Sequence, residues 1–353
     1  MNSDSTDLPP PVPGPEGPGT GHDDDGGAAR RRDLASLLRT ADGMRRLSRR
    51  GFLWLGGASA ILTADLAYTR AIAEQRRLTT ILTLGDDSPG DAPADAGWFL
   101  LPGFKTSWDE ARFILTSLKP AIGRWGRMAA VGYSNLGLSV YDVVDAIAAS
   151  IRLRKIRYVF LYGHSFGGML AVETAVLLWE RHQIQVRFIL LDSSPASRYD
   201  VLDQESFDGV VYSYERGVPI PTIVRGGYEL GERIVNKHER TWRQVLEQTA
   251  EQLSPLAPSS FLIQSEAAYV YGFDLRFLAG RLPYTSLVFI GNPGDGTVDY
   301  FTARQGWRNA FPSRLLSSDI ETLGAIPAHA SPQWSPQVYH PILEQIMDRH
   351  FPL

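Results

Sequence analysis

Arg157-Tyr158-Val159-Phe160-Leu161-Tyr162-Gly163-His164-Ser165-Phe166-Gly167-Gly168-Met169-Leu170-Ala171-Val172 decides how the rest of this chain reads. The first six residues are rich in aromatic and β-branched side chains, the pattern of a buried strand. Residues 168–179 are apolar and free of proline, the pattern of a helix. Between them stands GxSxG. Those letters alone are a weak signal, because a glycine-rich turn after a strand produces them too. The strand before and the helix after favour the sharper reading, a nucleophile elbow. In such a turn the serine is held in a strained backbone conformation. Side chains at positions 163 and 167 would collide with the neighbouring strand and helix. Ser165 Oγ is thereby lifted out of the sheet to a helix N-terminus, where developing negative charge is favoured. The implied chemistry is acyl transfer through a serine ester.

Strand and helix patterns alternate on both sides of the elbow, which predicts an α/β fold with a mostly parallel sheet. Residues 78–84 read as a first strand. Trp98-Phe99-Leu100-Leu101 reads as the next, ending at Pro102-Gly103-Phe104. A helix is expected over 110–118, stopped by Pro120, and a strand over 128–133. Helical apolar spacing at Val140, Val143, Val144, Ile147 and Ile151 leads into the elbow strand. Further strands are expected over 186–191, over 286–290 and within 315–326. A last helix runs through Val338, Ile342, Ile346 and Met347. Between 197 and 282 the alternation fails. Apolar residues recur at Leu230, Ile234, Trp242, Leu246 and Leu253, so this insertion reads as helical. A lid and extra scaffold helices are equally compatible with that spacing.

A serine hydroxyl is a poor nucleophile near neutral pH. It needs a base within hydrogen-bond reach and a carboxylate to orient that base. The elbow predicts the chain order Ser, Asp, His. Of the seven histidines, His329 alone lies on a loop between a final strand and the terminal helix. His340 is the reserve. His22 falls in the leader, His164 inside the elbow, His182 at the end of the elbow helix, His238 in the insertion and His350 at the terminal helix. For the acid, Asp295 follows the strand ending at Ile290, flanked by Gly294 and Gly296, which let the loop turn. Asp192, at the end of the preceding strand, ranks second. Asp299 ranks third and also suits a helix cap. The tetrahedral intermediate needs two backbone donors. Phe166, after the nucleophile, and Phe104, on the Pro102-Gly103-Phe104-Lys105 loop, are the candidates, since Pro102 has no N–H.

Together these residues resemble the α/β-hydrolase superfamily across about residues 78–350. The resemblance implies a central sheet of about eight strands flanked by helices, a helical cap or lid at about 197–282, a Ser165-His329-Asp295 triad and no cofactor. It also implies hydrolysis of an ester or thioester. The early loop reads Leu101-Pro102-Gly103-Phe104 in place of the His-Gly form found in the hormone-sensitive lipase branch. A serine at the elbow sets the chain apart from the epoxide hydrolase and haloalkane dehalogenase branches, which use aspartate there.

The N-terminal part carries a different signal. Residues 1–47 hold a Pro/Asp-rich leader, with six prolines in the first twenty positions, and then a basic run. A segment of that composition cannot bury enough apolar surface to offset its ordering entropy. Ser48-Arg49-Arg50-Gly51-Phe52-Leu53-Trp54 resembles a twin-arginine export signal. An apolar stretch interrupted by Asp65 follows, then Ala71-Ile72-Ala73, an A-x-A-like cleavage site. Residues 48–73 therefore read as an address recognised by the twin-arginine export machinery, with 74–353 as the catalytic domain. A buried N-terminal helix and an uncleaved anchor are the competing readings. The mature domain is not expected to span a membrane.

The chain has 353 residues, 44% of them hydrophobic and 21% charged, and a net charge of −4. That balance gives no basis for a nucleic-acid partner. The absence of cysteine excludes disulfides, a thiolate nucleophile and cysteine-held metals. Acyl transfer to another acceptor, or perhydrolysis, could use the same triad. A non-catalytic binding module is a third class, disfavoured by the complete set of site residues. Phe104, Trp108 and Phe166 could line an apolar acyl pocket or belong to the core. Export favours a lipid, polyester or small ester over an acyl-carrier substrate.

Overall fold

The computed structural model describes residues 76–84, 93–202, 258–282, 284–329 and 332–352, with a few isolated positions before 76. The leader and its basic run, nearly all of 48–73, and the bulk of the insertion lie outside the described residues, as do His22, His238 and the apolar positions from Leu230 to Leu253.

Seven strands form one sheet: β1 (Thr80–Thr83), β2 (Ala96–Leu101), β3 (Arg127–Gly132), β4 (Tyr158–His164), β5 (Val186–Asp192), β6 (Ser286–Gly291) and β7 (Leu315–Glu321). Their order is β1-β3-β2-β4-β5-β6-β7, which places the elbow strand β4 at the centre. β1 pairs antiparallel with β3, and every other pairing is parallel. The carboxyl ends of β2 to β7 therefore share one edge, where α/β sheets place their ligands. The resemblance implied about eight strands, and seven occur among the described residues.

Among the described residues the helices are α1 (Trp108–Ile122), α2 (Val140–Arg154), α3 (Phe166–His182), α4 (Ser260–Gly272), α5 (Arg276–Ala279), α6 (Tyr300–Ala310) and α7 (Pro336–His350). β2 shows why two layers cover the sheet. All six of its residues are buried. Trp98 and Leu100 join one core with α1 and α7, and Phe99 and Leu101 join the other with α2, α3, α4 and α6. A strand buried on both faces needs apolar side chains at every position, which is how these strands read.

Pro120 does not stop α1, which continues to Ile122. A proline inside a helix removes one backbone hydrogen bond, at a cost of about 3 kcal/mol. Here the carbonyl left over belongs to Thr116, which is exposed to water. Beyond the proline Ala121 and Ile122 are fully buried, and burying an isoleucine side chain contributes about 2 kcal/mol. Solvation of one carbonyl and burial of two side chains together carry the helix across.

Candidate active site

Ser165 occupies the turn between β4 and α3 with φ 53° and ψ −129°, a conformation that L-residues rarely adopt. Such a backbone costs about 1–3 kcal/mol and persists only when its surroundings over-determine it. The surroundings do so. A Cβ on Gly163 would stand 2.4 Å from Gly168 Cα, and one on Gly167 would stand 2.1 Å from Leu101 O. Helix and strand thus approach too closely for any side chain at either position. Ser165 N donates to Asp192 O (2.8 Å), tying the turn to the end of β5.

The histidine and acid arrive on loops from the same sheet edge. His329 Nε2 lies 3.0 Å from Ser165 Oγ, and His329 Nδ1 lies 2.6 Å from Asp295 Oδ2. Asp295 itself is anchored. Its Oδ1 accepts from Thr297 N (2.8 Å) and Val298 N (3.0 Å), and its own N–H donates to Asn292 O. The glycine-flanked loop therefore turns as its sequence suggested. Asn292 Nδ2 donates to Thr322 O after β7, joining the acid loop to the histidine loop. Ser335 Oγ accepts from Ile326 N (3.0 Å) on the far side of that loop. Ser165 is buried and His329 is only partly so, which leaves the imidazole reachable from outside.

Residues 126–210 match the family model of the thioesterase domain. No curated protein sequence matches the chain. Similar solved structures include a thermophilic esterase from Thermogutta terrifontis, 14% identical, with a TM-score of 0.54, covering 77% of this chain and 92% of that one. A hydrolase from Oleispira antarctica is 12% identical with a TM-score of 0.52, covering 80% of this chain and 98% of that one. An esterase from Exiguobacterium antarcticum is 16% identical with a TM-score of 0.51, covering 77% and 94%. The chain has the α/β-hydrolase fold. At these identities the likeness concerns the fold.

Within that fold the other candidates have separate places. Asp192, second choice for the acid, is fully buried beneath the elbow. It accepts from Tyr162 OH (2.8 Å) and Tyr339 OH (3.2 Å) and pairs with His164 Nδ1 (3.0 Å). Burial, with the Asp192 charge beside them, pushes both phenols well above their ordinary range. Asp299 caps α6 by accepting from Phe301 N and Thr302 N. His340 donates to Ser117 O of α1 (2.7 Å) and so joins two helices away from the elbow. His182 bridges Asp145 and Arg152. His164 ends β4, directly before the nucleophile. Its ring packs 5.2 Å from that of His329, centroid to centroid, tilted by 40°.

The two candidate oxyanion donors flank Ser165. Phe166 opens α3, where helix geometry leaves its N–H without an intrahelical acceptor. Phe104 follows Gly103, where an added Cβ would lie 3.3 Å from Ser165 Cβ and 3.0 Å from His164 Cδ2. The loop thus passes directly over the nucleophile, which is the close approach a glycine permits. The aromatic side chains divide. Phe166 packs with Tyr133 and Tyr269 in the core. Trp108 donates to Tyr133 O and stacks under Arg76. Phe104 and Trp108 are both partly exposed, and each packs against the edge of a core cluster.

Two features escaped the sequence reading. The network of Tyr162, His164, Asp192 and Tyr339 joins residues up to 177 positions apart that share no local pattern. Glu266 on α4 did leave a trace, as a lone acid in the apolar run Phe261-Leu262-Ile263 to Ala267-Ala268-Tyr269-Val270. Among the described residues no group of three or more His, Cys, Asp or Glu side chains could hold a metal ion. None of the described helices is long and apolar enough to cross a membrane.

Proposed function

We propose that this chain is a serine hydrolase of carboxylic ester or thioester bonds. The hydrogen-bonded run Ser165 Oγ, His329 Nε2, His329 Nδ1, Asp295 Oδ2 at a strained elbow carries the reading. His329 takes the hydroxyl proton as Ser165 Oγ attacks the acyl carbon. Asp295 holds the imidazole in the tautomer with its proton on Nδ1 and stabilises the imidazolium that forms. The Phe104 and Phe166 amides receive the oxyanion. His329 then hands the proton to the leaving alkoxide or thiolate. Water repeats the sequence on the acyl-enzyme. The thioesterase-domain match over 126–210 supports including thioesters among the substrates.

The test is turnover of nitrophenyl esters of increasing acyl length, alongside acyl thioesters of the same lengths. Wild-type protein should hydrolyse at least one series, and Ser165→Ala should hydrolyse neither while melting as a folded protein. Undiminished turnover by Ser165→Ala would refute the proposal. Product analysis with competing alcohols separates hydrolysis from acyl transfer. We further propose that residues 48–73 direct export by the twin-arginine route, on the strength of the ordered pattern from Arg49-Arg50 to Ala73.

A further inference from the structure

Glu266 is an acid with no exposure, set in the middle of α4. Its Oε2 accepts from Lys105 N (3.0 Å), across 161 positions of sequence. Lys105 sits in the left-handed region at φ 62°, unusual for a side chain of that size. Its conformation therefore needs support from outside the loop. Three positions earlier, Tyr133 OH donates to Pro102 O (3.1 Å). Thr106 N closes the turn onto Gly103 O (3.3 Å). Buried side chains thus grip the loop at both ends. Between the grips lies the peptide that carries the Phe104 amide.

Both grips stand on fixed ground. Tyr133 follows β3 directly. α4 is fastened to the segment after β3 by Ser259, which bonds with Asn135, and by Ser265 Oγ, which accepts from Leu138 N (2.6 Å). Tyr269 OH, one turn beyond Glu266, donates to Glu173 of α3 (2.7 Å). A carboxyl mounted this way cannot follow the loop if the loop shifts. We infer that Glu266 and Tyr133 are positioning residues that aim the Phe104 amide at the oxyanion of the acyl intermediate. This rests on the serine-hydrolase reading and extends it. α4 lies within 197–282, so the same contact ties this described helix of the insertion to the oxyanion loop.

The charge state of Glu266 suits the task. Burial raises its pKa to about 8 against the opposing pull of the Lys105 amide and charge, with Tyr133 its other titratable neighbour. A neutral acid still accepts from Lys105 N through its carbonyl oxygen. It also keeps a full negative charge away from the place where the oxyanion forms. Its second oxygen, Oε1, is buried and has no hydrogen-bond partner among the described residues. Glutamine keeps an acceptor oxygen for Lys105 N at nearly the same shape, and methionine, of similar volume, should fill the space without accepting a hydrogen bond.

The experiment compares the full chain with its E266Q, E266M and Y133F variants. Hydrolysis of p-nitrophenyl butyrate gives kcat and KM, and a fluorophosphonate gives the extent of Ser165 labelling. Losing an oxyanion donor outright costs about 100- to 1,000-fold in kcat, so misaiming one should cost about 30-fold. E266M and Y133F are expected to lose roughly that in kcat, with KM within about twofold, complete labelling and cooperative melting. E266Q should keep kcat within about threefold. A wild-type kcat in either E266M or Y133F, with full labelling, would overturn this inference alone. Equal losses in E266Q and E266M would overturn it as well. A wild type that takes no label and turns over no ester would overturn the serine-hydrolase reading and this inference with it.

Discussion

Asp295→Asn isolates the electrostatic part of the site with almost no change in shape. Asp295 Oδ1 already accepts from the Thr297 and Val298 amides, at 2.8 and 3.0 Å. In the variant the carboxamide oxygen must take that place, since an NH2 group cannot accept from those donors. The NH2 then faces His329 Nδ1, which lies 2.6 Å from Oδ2 in the wild type. Nδ1 has to accept, so the imidazole proton moves to Nε2. Nε2 is the atom 3.0 Å from Ser165 Oγ. Once protonated, it cannot take the hydroxyl proton. A triad locked in the wrong tautomer loses about 10⁴ in kcat, on the order of 5 kcal/mol in the barrier. The assay is p-nitrophenyl butyrate hydrolysis near neutral pH, with thermal melting as the control for folding. A kcat within tenfold of wild type, in a folded variant, would refute the argument.

Asp192→Asn should show the opposite profile. It disturbs a buried acceptor of Tyr162, Tyr339 and His164, so urea unfolding should report about 2–3 kcal/mol of lost stability while kcat changes less than about tenfold. Gly167→Ala would drive a Cβ to 2.1 Å from Leu101 O, a backbone atom that cannot swing aside. Loss of about 3 kcal/mol and collapse of kcat are expected, read by denaturation and turnover. Glu266 makes stability depend on pH. Its folded-state pKa, about 8, lies above the ordinary carboxylate value. The folded chain therefore holds a proton that the unfolded chain releases first. The resulting stability is fully present below the ordinary value and is lost as pH rises towards 8. Wild type should lose on the order of 3 kcal/mol relative to E266Q between about pH 5 and pH 8, measured by urea unfolding at both. Replacing Arg49 and Arg50 with lysines should retain the protein inside a bacterial host, and normal export in a fractionation experiment would defeat the proposed address.

What could be read from the sequence was what lies close along the chain. β4, Ser165 and α3 are contiguous, and their periodicity switches from strand to helix within a few residues. Asp295 and His329 could be placed because each follows a strand on a loop with glycine or proline beside it. β1 could be seen as a strand, but its antiparallel pairing with β3 is a tertiary choice that no local pattern records. Pro120 misled because local propensity yields to the burial of Ala121 and Ile122. Asp192 and His164 looked like candidates for chemistry, or like bystanders, until the fold paired them with each other. Glu266 illustrates the limit best. An acid in an apolar helix announces that something must receive it. The partner is a backbone amide 161 positions away, which carries no side-chain signature.

The central claim is that Ser165 Oγ is a nucleophile activated by His329. Intact-mass analysis after exposure to a fluorophosphonate tests it most directly. One adduct per wild-type chain, mapped to the peptide holding Ser165, with none on Ser165→Ala and a greatly slowed reaction on His329→Ala, is the result the account predicts. An adduct that forms equally on Ser165→Ala, or a wild-type chain that stays unmodified, would contradict it.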